Sequence, residues 1–408
     1  MRNRGIIALI VIWIVAVARL FIADNWDETN GLVVFAKDAG SALHLINVIL
    51  KTPLPFWRPV PTIFAALVIH VLPPNVTWPL LRIINIAMIL GALTILLRVL
   101  DAWDGASPRR NILFTLTYLF SGGAIIVATW YANIFDASAM LLLACGIALL
   151  SRRRFVAAGV VFGAAFFFKE TAAMALPFLL MLVAMKRVAL RDAIRAAIPT
   201  VVIGLVYFAL RSLVVPFGSA SDTHQFHASQ FIPTLVGFLG TYWIESLWSS
   251  REFVGGFIAF AFSIAALRGW PLRIAFALYV LFATVMYLEM FITTQDHQLM
   301  HYLMFHGRLY FIPVTLTLFV FCLDRRWWAL PVLAIPLLAG AVITYTHYER
   351  FQRSYRTIYK TAARATQKPV KIYYPMKPLH DPRRGIEIGD LPDATLRLDP
   401  INGKLMPR

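Results

Sequence analysis

The chain has 408 residues, of which 59% are hydrophobic and 14% charged, and its mean hydropathy is +0.70. Soluble domains are not built at that composition, so the chain reads as a polytopic membrane protein. Its 38 Lys and Arg against 21 Asp and Glu point to cytoplasmic loops and contact with membrane lipids, and away from nucleic acid.

The N-terminus has a basic start, with Arg2 and Arg4, and then an apolar core. No small-residue cleavage site follows, so residues 5–22 read as a retained first helix with its start in the cytoplasm. The helix runs into the stretch 21–31, FIADNWDETNG, which holds Asp24, Asp27 and Glu28. Acids there serve either as solvated caps or as a catalytic centre at the membrane surface.

Residues 23–77 read as one large external loop. Within it, 43–50 is amphipathic, LPFWRPVP is broken by proline, and 61–72 is apolar but short of the roughly 20 residues a crossing needs. The last of these is expected to lie in the outer interface as a juxtamembrane helix, with Trp57 and Trp78 as aromatic anchors.

Spans then alternate in direction. Residues 79–99 lead inward to Arg98, Arg109 and Arg110, and 111–129 lead outward to TWYANIFD. Residues 135–150 lead in to Arg152, Arg153 and Arg154, and 155–168 lead out to Lys169 and Glu170. Residues 171–185 lead in to Lys186, Arg187, Arg191 and Arg195, and 196–215 lead out to a polar segment, 216–252, read as a second external loop. Residues 253–267 lead in to Arg268 and Arg273, and 274–292 lead out to TTQDHQLMHYLMFHGR. Residues 309–323 lead in to Asp324, Arg325 and Arg326, and 328–345 lead out.

The expected fold is therefore all-α and polytopic, with about 11 transmembrane helices and external juxtamembrane helices. Residues 1–346 form the membrane module. Residues 347–408 form a basic external tail or small domain, too polar to span. Residues 155–185 are long for one helix and short for two, which predicts a tight hairpin that recesses Lys169 and Glu170 near the outer face. Gly159 and Gly163 make a GxxxG pattern, a signal for close helix packing. Cys145 and Cys322 sit inside apolar runs and make neither a disulfide framework nor a metal spacing.

On this topology one face collects Asp24, Asp27, Glu28, Asp38, His44, Lys51, Arg58, Asn133, Asp136, Lys169, Glu170, Glu245, Asp296, His297, His306, Arg308 and Tyr310. Charges at or below the membrane plane are expensive and generally face a cavity. Each also has a plainer reading: Asp136 as a helix cap, Lys169-Glu170 as a neutralised turn, Arg308 as an interface anchor. The sequence has no HExxH, CxxC, Walker loop or GxSxG. External acids with recessed cations suit one chemistry: a carboxylate deprotonates an acceptor hydroxyl while cations stabilise a departing lipid-linked phosphate.

Several short motifs recur here in the order of a known family. They are the acids after the first helix, Arg58-Pro59, the aromatic-then-Asp turn from Trp130 to Asp136, FFFKETAAMALP, and HGRLYFIP. In these, over roughly residues 5–313, the chain resembles the GT-C superfamily of integral-membrane glycosyltransferases. It is similar in style to the protein O-mannosyltransferases and the lipid A aminoarabinose transferase. The aromatic usual after the acid pair is absent, which leaves Asp27, Glu28 and Asp24 all open as the base.

The resemblance implies inverting transfer from a polyprenyl-phosphate sugar to a hydroxyl on a glycan, lipid or protein acceptor. The site would face the periplasm from a bacterial inner membrane. Asp27 would be the base and Asp136 would orient the acceptor or base. Lys169, Arg58, Arg308 and Tyr310 would hold the donor phosphate, with Glu170 fixing Lys169 and with His306 and Asn133 in support. No organic cofactor is implied; Asp27, Glu28 and Asp136 are the residues that would take a divalent cation. Polysaccharide ligase or polymerase chemistry on a lipid-linked donor, and a flippase or transporter for one, are the alternatives.

The topology is checked by labelling single cysteines in a cysteine-free background. A cysteine at Ser151 should resist an impermeant reagent applied from outside, and one in the tail should react. Labelling of both from outside would overturn the count.

Overall fold

A computed structural model describes residues 4–20, 36, 40–51, 57–130, 133–215, 231–245, 250–291, 308–346, 386–387, 396–398 and 405–407. Asp24, Asp27, Glu28, Asp38, Asp296, His297, His306 and most of the tail lie outside these residues, as does the side chain of Arg308.

The described chain is a helical bundle. In order it holds α1 (Arg4–Ala18), α2 (Ala42–Lys51), α3 (Pro59–Val71), α4 (Pro74–Asp104), α5 (Pro108–Leu119), α6 (Gly122–Thr129), α7 (Ile134–Ser151), α8 (Phe155–Ala164), α9 (Ala175–Ala184), α10 (Leu190–Val214), α11 (Phe231–Thr241), α12 (Ser250–Ala266), α13 (Trp270–Phe291) and α14 (Arg308–Leu323). It closes with α15 (Trp327–Thr346). Three short strands follow, β1 (Ile386–Glu387), β2 (Leu396–Leu398) and β3 (Leu405–Pro407). They pair antiparallel, Ile386 with Leu398 and Leu396 with Pro407, a small addition to the expected all-α fold.

The protein is an α-helical membrane protein. Four helices, α4, α7, α10 and α15, are long and apolar enough to cross a bilayer, or five if α5 and α6 count as one broken span. Each segment expected to span is helical, but several of those helices are shorter than a crossing needs.

Helix ends follow local chemistry. α4 stops at Gly105, in the left-handed region at φ 77°. α5 restarts from the Ser107 cap with Pro108 in its first turn. α5 and α6 form one expected span, but they bend by 59° at Phe120, because the Ser121 hydroxyl accepts from Ala124 N and starts a new helix at Gly122.

Packing sets the directions. Ile134 shares an apolar cluster with Trp78 and Leu81, and Leu141 reaches Gly91, so α7 runs parallel to α4. Gly159 and Gly163 face Ala196 and Ile203, so α8 runs parallel to α10. The α7–α8, α9–α10 and α14–α15 turns each place a basic residue, Arg153, Lys186 or Arg325, in the left-handed region. Asp104 ties three turns at this end, with Arg110 Nη1 at 3.5 Å, Arg187 Nη2 at 3.3 Å and Arg325 Nε at 2.9 Å. The arginine-rich turns thus gather at one end of the bundle.

Two expectations are corrected. Residues 216–252 are not one polar loop. α11 lies among them and packs on α12 and α13, burying Phe238, with Tyr242 and Trp243 buried just beyond its end. Trp57 and Trp78 are not interface anchors, since both are buried in apolar clusters, Trp78 beneath α2 and α3.

A Cβ on Gly159 would lie 2.1 Å from the Ala196 carbonyl oxygen, a backbone atom that cannot step aside. Gly159→Ala should therefore destabilise the detergent-solubilised protein by about 1–3 kcal/mol. Gly255 is helical with open space around it, so Gly255→Ala should be neutral or stabilising by up to about 1 kcal/mol. Thermal unfolding of both variants checks this, and an unchanged Gly159→Ala would show that the α8–α10 contact is looser than described.

Candidate functional site

At the end of the bundle away from the arginine turns, four charged side chains meet in the interior. Arg58 sits just before α3, Asp136 in the first turn of α7, and Lys169 and Glu170 between α8 and α9. All four are buried. Lys169 Nζ pairs with Asp136 Oδ1. Arg58 pairs with Glu170 Oε2, at 2.9 Å from Nε and 2.8 Å from Nη2. The group is electroneutral, which permits burial: an isolated charge in an apolar interior costs several kcal/mol.

Local conformation explains how consecutive residues serve two pairs. α8 ends in a 3₁₀ turn, Ala165–Phe167, and a second, Glu170–Met174, precedes α9. Lys169 between them is extended, at φ −162° and ψ 136°, and extended backbone sends successive side chains to opposite sides. Lys169 therefore reaches α7 while Glu170 reaches Arg58.

The surroundings hold these groups in place. The Tyr207 hydroxyl, on α10, lies 2.8 Å from both Glu170 Oε1 and the Trp57 carbonyl, and its one proton serves either acceptor. The Arg58 guanidinium lies 5.3 Å from the centre of the Phe135 ring, in cation–π range. Asp136 sits at the N-terminal end of α7, where the helix dipole favours a carboxylate. The favourable dipole and the ion pair act on the same carboxylate.

Behind the ionic cluster, the half-helix α6 is held at both ends. At its start, Gly123 N–H donates to Glu245 Oε2 at 2.6 Å. At its end, Arg82 Nε donates to the Thr129 carbonyl at 2.9 Å, and Asn85 Nδ2 donates to those of Val127 and Trp130, each at 3.1 Å. Asn133 Nδ2 donates to the Ile126 carbonyl at 2.9 Å and locks the turn that leads to Asp136.

Of the sequence candidates, Arg58, Asp136, Lys169 and Glu170 are brought together and Asn133 supports them. Glu170 closes on Arg58, a pairing different from the expected one with Lys169. Tyr310 belongs to another polar seam, where its hydroxyl meets Thr241 and its ring stacks on Phe238 at 5.3 Å. Glu245 is not on an external face but fully buried. Asp24, Asp27, Glu28 and His306 lie outside the described residues, and Arg308 is placed only as the first residue of α14. Among the described residues no three His, Cys, Asp or Glu side chains gather to hold a metal. Sequence reasoning missed Tyr207, Arg82 and Asn85. An Arg in an apolar helix with an Asn three residues on was the available signal, because such residues are costly in a bilayer unless they have partners.

Fold and site together define an α-helical membrane protein with a buried, charge-balanced polar centre at one end of its bundle. Comparison of the chain with protein families, with curated proteins and with solved structures finds no match.

Breaking one ion pair from one side leaves the other charge buried and alone. Lys169→Met should destabilise by about 3–5 kcal/mol, while Lys169→Met with Asp136→Leu should cost less than that single change. Denaturation of the single and double variants checks the pairing; additive losses would show that the two side chains do not depend on each other.

Proposed function

We propose that this protein is an integral-membrane glycosyltransferase of GT-C type that moves a sugar, with inversion, from a polyprenyl-phosphate donor to a hydroxyl acceptor. The observation that carries this reading is the convergence of Arg58, Asp136 and Lys169-Glu170. They come from three separate stretches that carry the resemblance, and they meet in one buried cluster.

On this reading the membrane is crossed about 11 times, and the cluster faces the periplasm from a bacterial inner membrane. Asp27 is the base that takes the acceptor proton, with Glu28 and Asp24 beside it in sequence. The donor phosphate exchanges with internal carboxylates, drawing Lys169 from Asp136 and Arg58 from Glu170. The freed Asp136 then orients the acceptor or base. Arg308 begins α14, where a helix N-terminus also favours an anion. If a divalent cation serves, Asp136 with Asp27 and Glu28 would hold it.

A second reading, a flippase or transporter for a lipid-linked sugar, is favoured by the broken α5–α6 span with Glu245 and Arg82 at the ends of its half-helix. Discontinuous helices of this kind mark transporter sites. Transfer to a soluble acceptor in detergent solution separates the two, because translocation leaves no product there.

Asp27→Asn should lower transfer by roughly 10²–10⁴ and leave donor binding intact. Lys169→Met should weaken donor binding itself, since it removes a charge-assisted contact worth about 1.5–3 kcal/mol. Assays with a polyprenyl-phosphate sugar measure both quantities. Near-native transfer by Asp27→Asn together with loss in Glu28→Gln would move the base by one residue. Full activity in every acid variant would leave the acidic stretch as a solvated cap.

A further inference from the structure

We infer that the arginine end of the bundle carries a binding site for an anionic phospholipid headgroup, between the α12–α13 and α14–α15 turns. The two turns are joined by Arg268 N–H, which donates to Asp324 Oδ2 at 3.0 Å, and by Phe262, whose ring meets Trp328 edge-on at 6.4 Å.

Asp324 is a half-buried carboxylate faced by the charges of Arg326, Arg268 and Arg187. Burial pushes its carboxyl above the usual range, against the pull of these cations and of the Arg268 N–H. Arg187 and Arg325 are already engaged with Asp104, and Arg273 with the Leu267 and Ala265 carbonyls. The guanidiniums of Arg268 and Arg326 make no hydrogen bond among the described residues. One carboxylate cannot neutralise both, so the spot keeps an excess of positive charge with open donors.

Two indoles flank the pair. Trp270 is 72% exposed and Trp328 48% exposed, unusual for the largest apolar side chain unless it meets lipid at the interface. Arg273 lies 5.5 Å from the Trp270 ring and Arg326 5.7 Å from that of Trp328. Forked donors with amphipathic rings beside them match a phosphate diester that carries acyl chains: guanidinium to phosphate oxygens, indole to the glycerol and acyl boundary. A zwitterionic headgroup brings its own cation and fits less well. The ion alone has nothing to place against the rings.

The test uses the purified full chain in detergent, titrated with phosphatidylglycerol, phosphatidylcholine or inorganic phosphate, with bound lipid counted by native mass spectrometry. Phosphatidylglycerol should be retained in preference to phosphatidylcholine, and millimolar phosphate should not displace it. Arg268→Gln and Arg326→Gln should each weaken that binding about fivefold, and the double variant by an order of magnitude or more. Arg152→Gln with Arg154→Gln, at another turn of the same end, should leave it within about twofold. Arg268 is exposed and Arg326 only partly buried, so the single changes carry the test even if the double variant cannot be purified. Equal retention of phosphatidylcholine, displacement by phosphate, or an equal loss in the Arg152 and Arg154 variant would overturn the site.

Discussion

A charge taken into an apolar bundle must meet an opposite charge or a set of aligned dipoles, and the polar interior of this protein is arranged around that requirement. Arg58, Asp136, Lys169 and Glu170 cancel in two pairs. The pairing dictates much around it. Lys169 has to be extended for its neighbour to face the other way, and Tyr207 has to stand between Glu170 and the Trp57 carbonyl. Buried pairs are weak sources of net stability, because desolvation consumes most of what attraction returns. Such a cluster is therefore not explained as a fastener alone.

The same requirement explains the half-helix α6. A half-helix that starts after Phe120 and stops at Thr129 has free backbone donors at one end and free acceptors at the other, within a bundle that offers no bulk water. Each unpaired group there would cost several kcal/mol. Glu245 supplies an acceptor oxygen to the donor end, and Arg82 with Asn85 supplies donors to the acceptor end. The matching follows the helix polarity, free N–H groups at its start and free carbonyls at its end. Because Asn133, at the start of α7, donates to the Trp130 and Ile126 carbonyls at the end of α6, these distant residues help fix where Asp136 stands.

What the sequence made legible, and what it hid, divides along the range of the interactions. Apolar runs between arginine turns show helices, since hydropathy and charge are read within one segment. The GxxxG of Gly159 and Gly163 shows close packing, though not that α10 is the partner. Arg58, Asp136, Lys169 and Glu170 stand out because charges are rare in such a chain. Which pairs with which depends on the extended backbone at Lys169, a feature of the hairpin tip that residue type does not announce. α11 was hidden because an eleven-residue apolar run between polar flanks is as easily an interfacial segment as a core helix. Trp57 and Trp78 were misread for a related reason: a Trp near a helix end is an anchor or a core residue according to what lies over it, and α2 and α3 lie over Trp78.

Helix length gives the site its depth. α8 has ten residues and the 3₁₀ turn after it three, so the hairpin rises only about 20 Å from the arginine end. A hydrocarbon core is about 30 Å thick. Lys169 and Glu170 therefore stand at less than that distance from the arginine end, among buried residues where a free cation would be expensive and where Asp136 and Arg58 become necessary partners. The arginine turns set the other boundary. Arg153, Lys186 and Arg325 occupy left-handed positions where glycine would be unstrained. A basic residue there accepts the strain and places a cation at a helix C-terminus. The short hairpin and the charged turns thus act as one device: the turns define one end of the bundle, and the hairpin's length then decides how far from it the polar centre sits.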